Sequence, residues 1–393
     1  MKRSIRDLVD LKGKRVLLRT DFNVPMDKVG RILDQTRITA EIPTIRYLVN
    51  QGAKVIICTH LGRPNGYEIS LSLWPISLIL MKYFPGKVQF SQKTVGDKVK
   101  QQIESLPDGS IILLENVRFH KEEMEDDPVF AKELASLADI YVNDAFGCCH
   151  RKHASTYGVA RLLPNAIGFL VEKELNAIQD AMDHPKRPFV AIFGGFKVED
   201  KIKVLKNMID IADTILIGGA MAYPFLVAQW IPVGLSPSRP ECVAIAEQIL
   251  KDAQAKGKKI ILPVDHVAYR SDDKKHKPFV TDTLQSNMIA CDIGPKTIAL
   301  FEKEIRGAKQ VLWNGPLGKY EDKEFKNGTM KIAEIVASSK CYSIVGGGDS
   351  VSAVNKSGKA NMISHLSTGG GATMKLFEGN SLPCIEVIQE KII

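Results

Sequence analysis

Cysteine is scarce in this chain and long apolar runs are missing, and the two shortages together exclude several classes of protein. The 393 residues hold seven cysteines, an odd number without a repeating spacing. No disulfide framework is expected, and a reducing compartment, the cytoplasm, is implied. The most apolar window, Ile69 to Met81, is broken by serines and Pro75. It is too short to cross a bilayer and reads as a core helix. Met1-Lys2-Arg3-Ser4-Ile5-Arg6-Asp7 is basic but leads into no apolar stretch, so neither a secretory leader nor a membrane partner is expected. The formal net charge of +8 suits anionic partners. No basic run is interleaved with aromatics, however, which argues against nucleic acid and leaves phosphorylated metabolites. The one dense cationic cluster, Lys274-Lys275-His276-Lys277, follows two aspartates and reads as a solvated loop. Internal repeats are absent as well, which removes solenoids.

Three catalytic signatures are also missing. No stretch matches G-x-x-x-x-G-K-[ST], G-x-G-x-x-G after a strand, or G-x-S-x-G. A P-loop, a dinucleotide-dependent oxidoreductase and a serine hydrolase therefore find no support. Cys148-Cys149-His150 with His153 invites a zinc reading, but adjacent cysteines wrap a tetrahedral ion poorly and no second ligand pair follows.

What the chain does have is an α/β rhythm. Its length suggests two domains, and 45% hydrophobic residues supply ample cores. Buried strands are expected at 16–18, 55–57, 111–114 and 140–142 in the first half, and at 189–193, 214–217, 260–262, 310–313 and 342–345 in the second. Between the first two, Ile38, Ile42, Ile45, Leu48 and Val49 fall at helical spacing and Gly52 sits where a C-terminal cap belongs. A charged stretch from Val171 to Met182, ahead of Pro185 and Pro188, reads as a helix connecting two domains. The expected fold is α/β: two doubly wound parallel-sheet domains joined by that helix. Open parallel sheets bind ligands at the C-terminal ends of their strands, so two such domains facing across a cleft suit a two-substrate enzyme.

Glycine runs at 194–195, 218–219, 346–348 and 369–371 follow or end short apolar stretches. Such turns either supply positive-φ positions that any α/β fold needs, or present N–H groups to a phosphate at a helix start. Asp349, straight after the third run, either caps a helix or offers a hard oxygen to Mg²⁺. Lys197 and Lys201, four apart after the first run, are either a surface pair or phosphate ligands sharing a helix face. In the first half, Thr20-Asp21-Phe22-Asn23, Thr59-His60-Leu61-Gly62-Arg63 and Glu115-Asn116-Val117-Arg118 follow strands. With Arg37 and Arg151, the arginines of these loops suggest a shared site for a compact, multiply charged anion.

At this point the chain resembles the phosphoglycerate kinase family from end to end. Arg19-Thr20-Asp21-Phe22-Asn23-Val24-Pro25, His60-Leu61-Gly62-Arg63-Pro64, Leu114-Glu115-Asn116-Val117-Arg118-Phe119, Val142-Asn143-Asp144-Ala145-Phe146-Gly147, Trp313-Asn314-Gly315-Pro316-Leu317-Gly318, Gly346-Gly347-Gly348-Asp349 and Ser367-Thr368-Gly369-Gly370-Gly371-Ala372 occur in the family's order. The resemblance implies a phosphoglycerate-binding domain (1–171 with 381–393), an interdomain helix (172–183) and a nucleotide-binding domain (184–380). It implies reversible phosphoryl transfer between 1,3-bisphosphoglycerate and Mg-ADP, giving 3-phosphoglycerate and Mg-ATP, in a cytoplasmic monomer whose cleft closes to exclude water. By motif, Asp21, Phe22, Asn23, Arg37, His60, Leu61, Gly62, Arg63, Arg118 and Arg151 would bind the glycerate. Gly194, Gly195, Lys201, Ala290, Glu321, Gly347, Gly348, Asp349 and Ser350 would hold the nucleotide, with Asp349 on Mg²⁺. Arg37, Lys197 and the amides of Gly370 and Gly371 would surround the moving phosphoryl group, whose charge spreads over three oxygens.

Some positions depart from the family pattern. Phe196 stands where a small residue is usual, Ala220 ends a run that is usually three glycines, and Pro224 replaces a common threonine. All three are expected to border the base pocket, so nucleotide affinity and base preference are where this chain would differ. They also motivate an alternative, a non-catalytic relative of the same fold that binds metabolites or a partner. Thr20, for the usual valine, and Cys148-Cys149 read as packing changes.

Overall fold

The computed structural model describes residues 1–391. The chain divides into two compact units, Met1–Asn176 with the segment that begins at Ser381, and Ala177–Asn380. Ile392 and Ile393, part of the C-terminal segment assigned above to the first domain, lie outside the described residues. The division falls inside a helix, Phe169–Asp183, which begins three residues before the connecting helix drawn from the sequence.

In the first unit β1 (Arg15–Arg19), β2 (Lys54–Cys58), β3 (Val88–Phe90), β4 (Ile111–Leu113), β5 (Ile140–Asn143) and β6 (Asn165–Ile167) form one sheet in the order β3-β4-β2-β1-β5-β6. Every pairing is parallel. Helices and loops cover both faces, so consecutive residues such as Val16, Leu17 and Leu18 are all buried and the strands read as apolar runs without alternation. The helix Thr36–Asn50 packs Ile38, Ile42, Ile45, Leu48 and Val49 against Val16, Leu18, Val55 and Ile57. Gly52 follows it at φ +77°, a left-handed conformation that a Cβ disfavours. After Ser381 the chain packs on this unit: the Arg3 N–H donates to the Gln389 carbonyl at 2.8 Å and the Cys384 N–H to the Cys149 carbonyl at 3.2 Å.

The apolar window at 69–81 is not one core helix. A single 3₁₀ turn, Ile69–Leu71, precedes the helix Trp74–Tyr83, and Ile69, Trp74 and Leu78 are exposed. The Ser72 hydroxyl and the Leu73 N–H both bond the buried Glu115 carboxylate, and this anchor interrupts the helix.

The second unit contains β7 (Phe189–Phe193), β8 (Thr214–Ile217), β9 (Lys259–Ile261), β10 (His266–Arg270), β11 (Phe279–Thr281), β12 (Met288–Ile293), β13 (Gln310–Asn314), β14 (Tyr342–Gly346) and β15 (His365–Leu366). Six of these form a second parallel sheet, β15-β14-β13-β7-β8-β9. The other three make an antiparallel sheet, β11-β10-β12, that the sequence reading lacks. Its strands are half-exposed and broken by a bulge between Val267 and Ala268, which blurs their pattern. The cationic cluster 274–277 lies in the loop between β10 and β11, where the Asp273 carboxylate accepts the N–H groups of Lys275 and Lys277.

Each parallel sheet reverses its winding once. From β1 the chain moves to β2 and from β5 to β6, on opposite sides; β7 and β13 diverge in the same way. The crevice beyond the strand ends at such a switch point is where doubly wound sheets take ligands.

Candidate functional site

In the first unit the switch point is lined with cations. Arg19, the last residue of β1, is fully buried. Its Nε donates to Ser155 Oγ at 2.7 Å, its Nη2 lies 3.2 Å from His60 Nδ1, and Glu123 is 4.0 Å away. Burial, then Arg19, Arg118 and Arg37, hold the His60 pKa well below its usual value. His60 is therefore neutral, with Nδ1 accepting from Arg19 and the proton on Nε2. His153 is likewise pushed down to about 4, by burial first and then by Arg19, Arg118 and Arg151.

The loops after β1 and β2 are sewn to this cluster. Arg37, in the first turn of helix 36–50, pairs with the Asp21 carboxylate. Asn23 Oδ1 accepts the Gly62 N–H at 2.9 Å, and the Gly62 carbonyl accepts Arg118 Nη1 at 2.7 Å. Arg118 is 8% exposed and its Nε has no partner. A buried guanidinium N–H left unbonded is costly, and an oxyanion would satisfy it. Arg151 contributes to the field on Arg118, whereas Arg63 stands exposed in the loop after β2.

Two expected contacts are restricted by packing. Phe22 and Leu61 bury their side chains in the core, and their N–H groups bond Thr59 Oγ1 and Asn116 Oδ1. Arg19, Glu41, Glu123 and Ser155 belong to the assembly although the sequence reading assigned them no role. The available signal was Arg19 itself, an arginine closing an apolar strand directly before Thr20-Asp21.

Among the described residues, the one group of three metal-ligand side chains in mutual reach is Asp21, His60 and Cys148, with ligand atoms within 4.8 Å. It is a poor cation site. Asp21 is paired with Arg37, His60 with Arg19, and burial pushes the Cys148 thiol up to about 12. The Cys149 thiol donates to the Ala145 carbonyl, and no zinc set forms around Cys148-Cys149-His150. A cavity of about 1650 Å³ bounded by Tyr67, Trp74, Phe90, Lys98 and Phe119 contains none of the expected glycerate ligands.

In the second unit the glycine runs divide by function. Around the β7/β13 switch point they serve close approach of backbones. A Cβ on Gly194 would lie 2.0 Å from the Pro316 carbonyl oxygen, and one on Gly218 2.7 Å from Leu317 Cδ2. The N–H groups of Gly194, Gly218 and Gly219 donate to the carbonyls of Asn314, Phe193 and Leu317. These amides are spent inside the fold, so of the two readings open for the runs, chain turning and close backbone approach describe these two.

The later runs are open. Gly347, at φ +91°, caps the helix Gly348–Lys356 without any side-chain cap, and a Cβ on Gly348 would meet nothing. Gly370, at φ +49°, does the same for Gly371–Phe377. The first N–H groups of a helix have no internal partners, so both ends suit an anion. Asp349 is exposed in the first turn of its helix and makes no capping bond. Ser350 is buried, and its Oγ accepts the Gly315 N–H at 2.8 Å.

The lysines differ too. Lys197 is exposed in the loop after β7, ahead of the turn Glu199–Lys201, so the two do not share a helix face as expected. Lys201 Nζ donates to the Asn314 carbonyl at 2.9 Å and to its side-chain oxygen. Burial drops its pKa to about 7. Ala290, on β12, has its N–H on Ser236 Oγ and its carbonyl on Tyr223 Oη, while Glu321 is exposed. Phe196, Ala220 and Pro224, the three departures, line one cavity of about 140 Å³ with Lys197 and Arg239.

A cationic switch point on one parallel sheet and open helix ends with lysines on another define an α/β protein of the phosphate-handling class. Similarity to known proteins narrows this class to one family. The phosphoglycerate kinase family model matches residues 5–380. Phosphoglycerate kinases of Clostridium botulinum and Anaeromyxobacter dehalogenans are 44% and 46% identical, covering 99% and 98% of both chains. The solved phosphoglycerate kinase of Coxiella burnetii superimposes with a TM-score of 0.89 at 37% identity over 99% of both chains, and that of Pyrococcus horikoshii with 0.82 at 31% over 98%. The chain belongs to the phosphoglycerate kinase family, phosphotransferases with a carboxyl group as acceptor.

Proposed function

We propose that this chain catalyses reversible transfer of the acyl phosphate of 1,3-bisphosphoglycerate to Mg-ADP, with the first unit binding the glycerate and the second the nucleotide. The observation that carries the reading is the gathering of Arg37, Arg118 and neutral His60 around Asp21 and Asn23, with a buried Arg118 N–H unsatisfied. Three cationic side chains, Arg37, Arg118 and Arg151, suit the non-transferred phosphate and carboxyl end of such a molecule, and bidentate guanidinium groups fix its orientation. A neutral His60 donates a hydrogen bond without adding charge.

In the second unit, Lys201 and the helix start at Gly347–Ser350 are assigned to the nucleotide phosphates, and Lys197 with the amides of Gly370 and Gly371 to the phosphoryl oxygens. Glu321 is assigned to the ribose, Gly194, Gly195 and Ala290 to the walls of the base site. Asp349 fits Mg²⁺, because its exposed carboxylate is a hard oxygen ligand beside an anion-binding helix end. Bound there, Mg²⁺ would neutralise phosphate charge. The attacking oxygen is already ionised, so positioned cations and N–H donors supply the catalysis and no general base is needed.

We also assign the protein to the cytoplasm as a monomer, consistent with seven unpaired cysteines; no described helix is long and apolar enough to cross a membrane. The test of the activity is a coupled assay. Purified, folded protein should form ATP from 1,3-bisphosphoglycerate and MgADP, and its failure to do so would overturn the reading.

A further inference from the structure

Glu41 lies one helical turn after Arg37, on the same face of helix 36–50, and is fully buried. Its Oε1 accepts the Asp21 N–H at 2.8 Å, so Asp21 is held twice by this helix: through its carboxylate by Arg37 and through its backbone by Glu41. Glu41 Oε2 has no N–H or O–H partner. Asp144, in the loop after β5, is also fully buried; its Oδ1 accepts the Val171 N–H at 3.0 Å, and its Oδ2 is equally without a partner. The two side chains are in hydrogen-bond contact with each other.

The charged groups acting on Glu41 are Asp144 and Asp21, both acidic, and Arg37 on its own helix is engaged by Asp21; Asp144 receives Thr44 and backbone amides. Two carboxylates in contact without a cation cannot both ionise. One proton placed between them satisfies both orphan oxygens.

We propose that Glu41 and Asp144 share a single proton, carried on Glu41 Oε2 and donated to Asp144 Oδ2, and that this pair is the positioning device for Asp21 and Arg37. Burial raises both groups; the Asp144 anion keeps the Val171 N–H and the Thr44 hydroxyl as donors while Glu41 has the Asp21 N–H alone, so the proton sits on Glu41. A neutral Glu41 leaves its carbonyl oxygen for the Asp21 N–H and does not compete for Arg37. An ionised one would still accept that N–H but would compete with Asp21 for Arg37 and repel the Asp144 carboxylate.

This inference rests on the proposed binding of the glycerate by Asp21 and Arg37, and its test separates the two. Glu41→Gln retains a carbonyl acceptor for Asp21 and an N–H donor for Asp144, whereas Glu41→Ala retains neither. With the folded full-length protein at neutral pH, Glu41→Gln should keep both Michaelis constants within about threefold of the parent. Glu41→Ala should raise the KM for 3-phosphoglycerate roughly tenfold, the scale of one buried hydrogen bond, and leave that for MgATP unchanged. Infrared difference spectra should show a carboxylic-acid carbonyl band in the parent that Glu41→Gln removes.

If Glu41→Ala does not fold, the parent and the Gln variant carry the test by band and KM. Loss of 3-phosphoglycerate affinity in Glu41→Gln, or an unchanged acid band, overturns the shared proton. A parent without any 3-phosphoglycerate-dependent turnover overturns the underlying reading instead, and the infrared comparison still decides the proton.

Discussion

Lys201 Nζ donates to the backbone and side-chain carbonyls of Asn314, tying the turn that follows β7 to the last residue of β13. The ammonium thus sits at the switch point of the second sheet, on neutral acceptors alone, and burial lowers its pKa to about 7. Its nearest charged influence is Asp200, too weak to restore the shift.

A pH dependence of nucleotide binding follows. Free protein has Lys201 half-protonated near pH 7, while phosphate oxygens beside it would raise its pKa in the complex. Well below pH 7 both states carry the proton and affinity is at its maximum. Above it, binding must take up a proton, so affinity falls as pH rises. Calorimetry of MgADP binding at pH 8, in buffers of different ionisation enthalpy, should report uptake approaching one proton. Lys201→Met should abolish it. Uptake that persists in the variant would place the titrating group elsewhere.

The same shift acts on folding with a definite sign. Between the folded value near 7 and the ordinary lysine value of 10.5, the unfolded chain binds more protons at this position than the folded one. The Lys201 contribution to stability therefore rises with pH across that window and is least favourable below it.

Arg37 separates turnover from nucleotide affinity. It pairs with Asp21 in the first unit, away from the residues that follow β7 and β13 in the sequence. Arg37→Ala should lower kcat by roughly 10²- to 10³-fold, the effect of removing one donor aimed at transition-state charge. The KM for MgADP should stay within about threefold. Equal losses in both would remove Arg37 from its proposed role.

The cavity shared by Phe196, Ala220 and Pro224 allows the proposed base site of the second unit to be tested. Phe196 is 70% exposed, so Phe196→Ala should change stability by no more than about 0.5 kcal/mol. It should shift the ratio of kcat/KM for ATP against GTP while the 3-phosphoglycerate KM stays constant. An unchanged ratio would mean that Phe196 faces no base.

Gly194 and Gly348 test the division of the glycine runs. Gly194→Ala drives a Cβ to 2.0 Å from the Pro316 oxygen and should cost about 3 kcal/mol or more in denaturant unfolding, because backbone must move. Gly348→Ala places its Cβ in open space and should be neutral or stabilising by up to about 1 kcal/mol. Comparable destabilisation by both would erase the distinction.

Apolar runs at Val16-Leu17-Leu18 and Phe189–Phe193 were enough to mark β1 and β7, since strands buried on both faces need no partner to be recognised. The short β3, β6 and β15 and the half-exposed β10–β12 carried too little apolar signal for that. Family motifs brought Asp21, Arg37, His60 and Arg118 onto one list, and the fold brings them onto one switch point.

What the sequence determined by itself was the chemistry available: a surplus of cations, glycines at strand ends, no thiol framework, no cofactor fingerprint. Those are properties of residue type and local spacing. Only the tertiary structure decided which groups remain available to a ligand. Gly194 and Gly348 look alike in the sequence, yet one N–H is consumed by Asn314 and the other lies at an open helix start. Glu41 reads as an ordinary helix glutamate until Asp144, 103 residues away in the chain, is brought against it. Hydrogen-bond satisfaction and burial depend on partners distant in sequence, and they alone set which oxygen holds a proton.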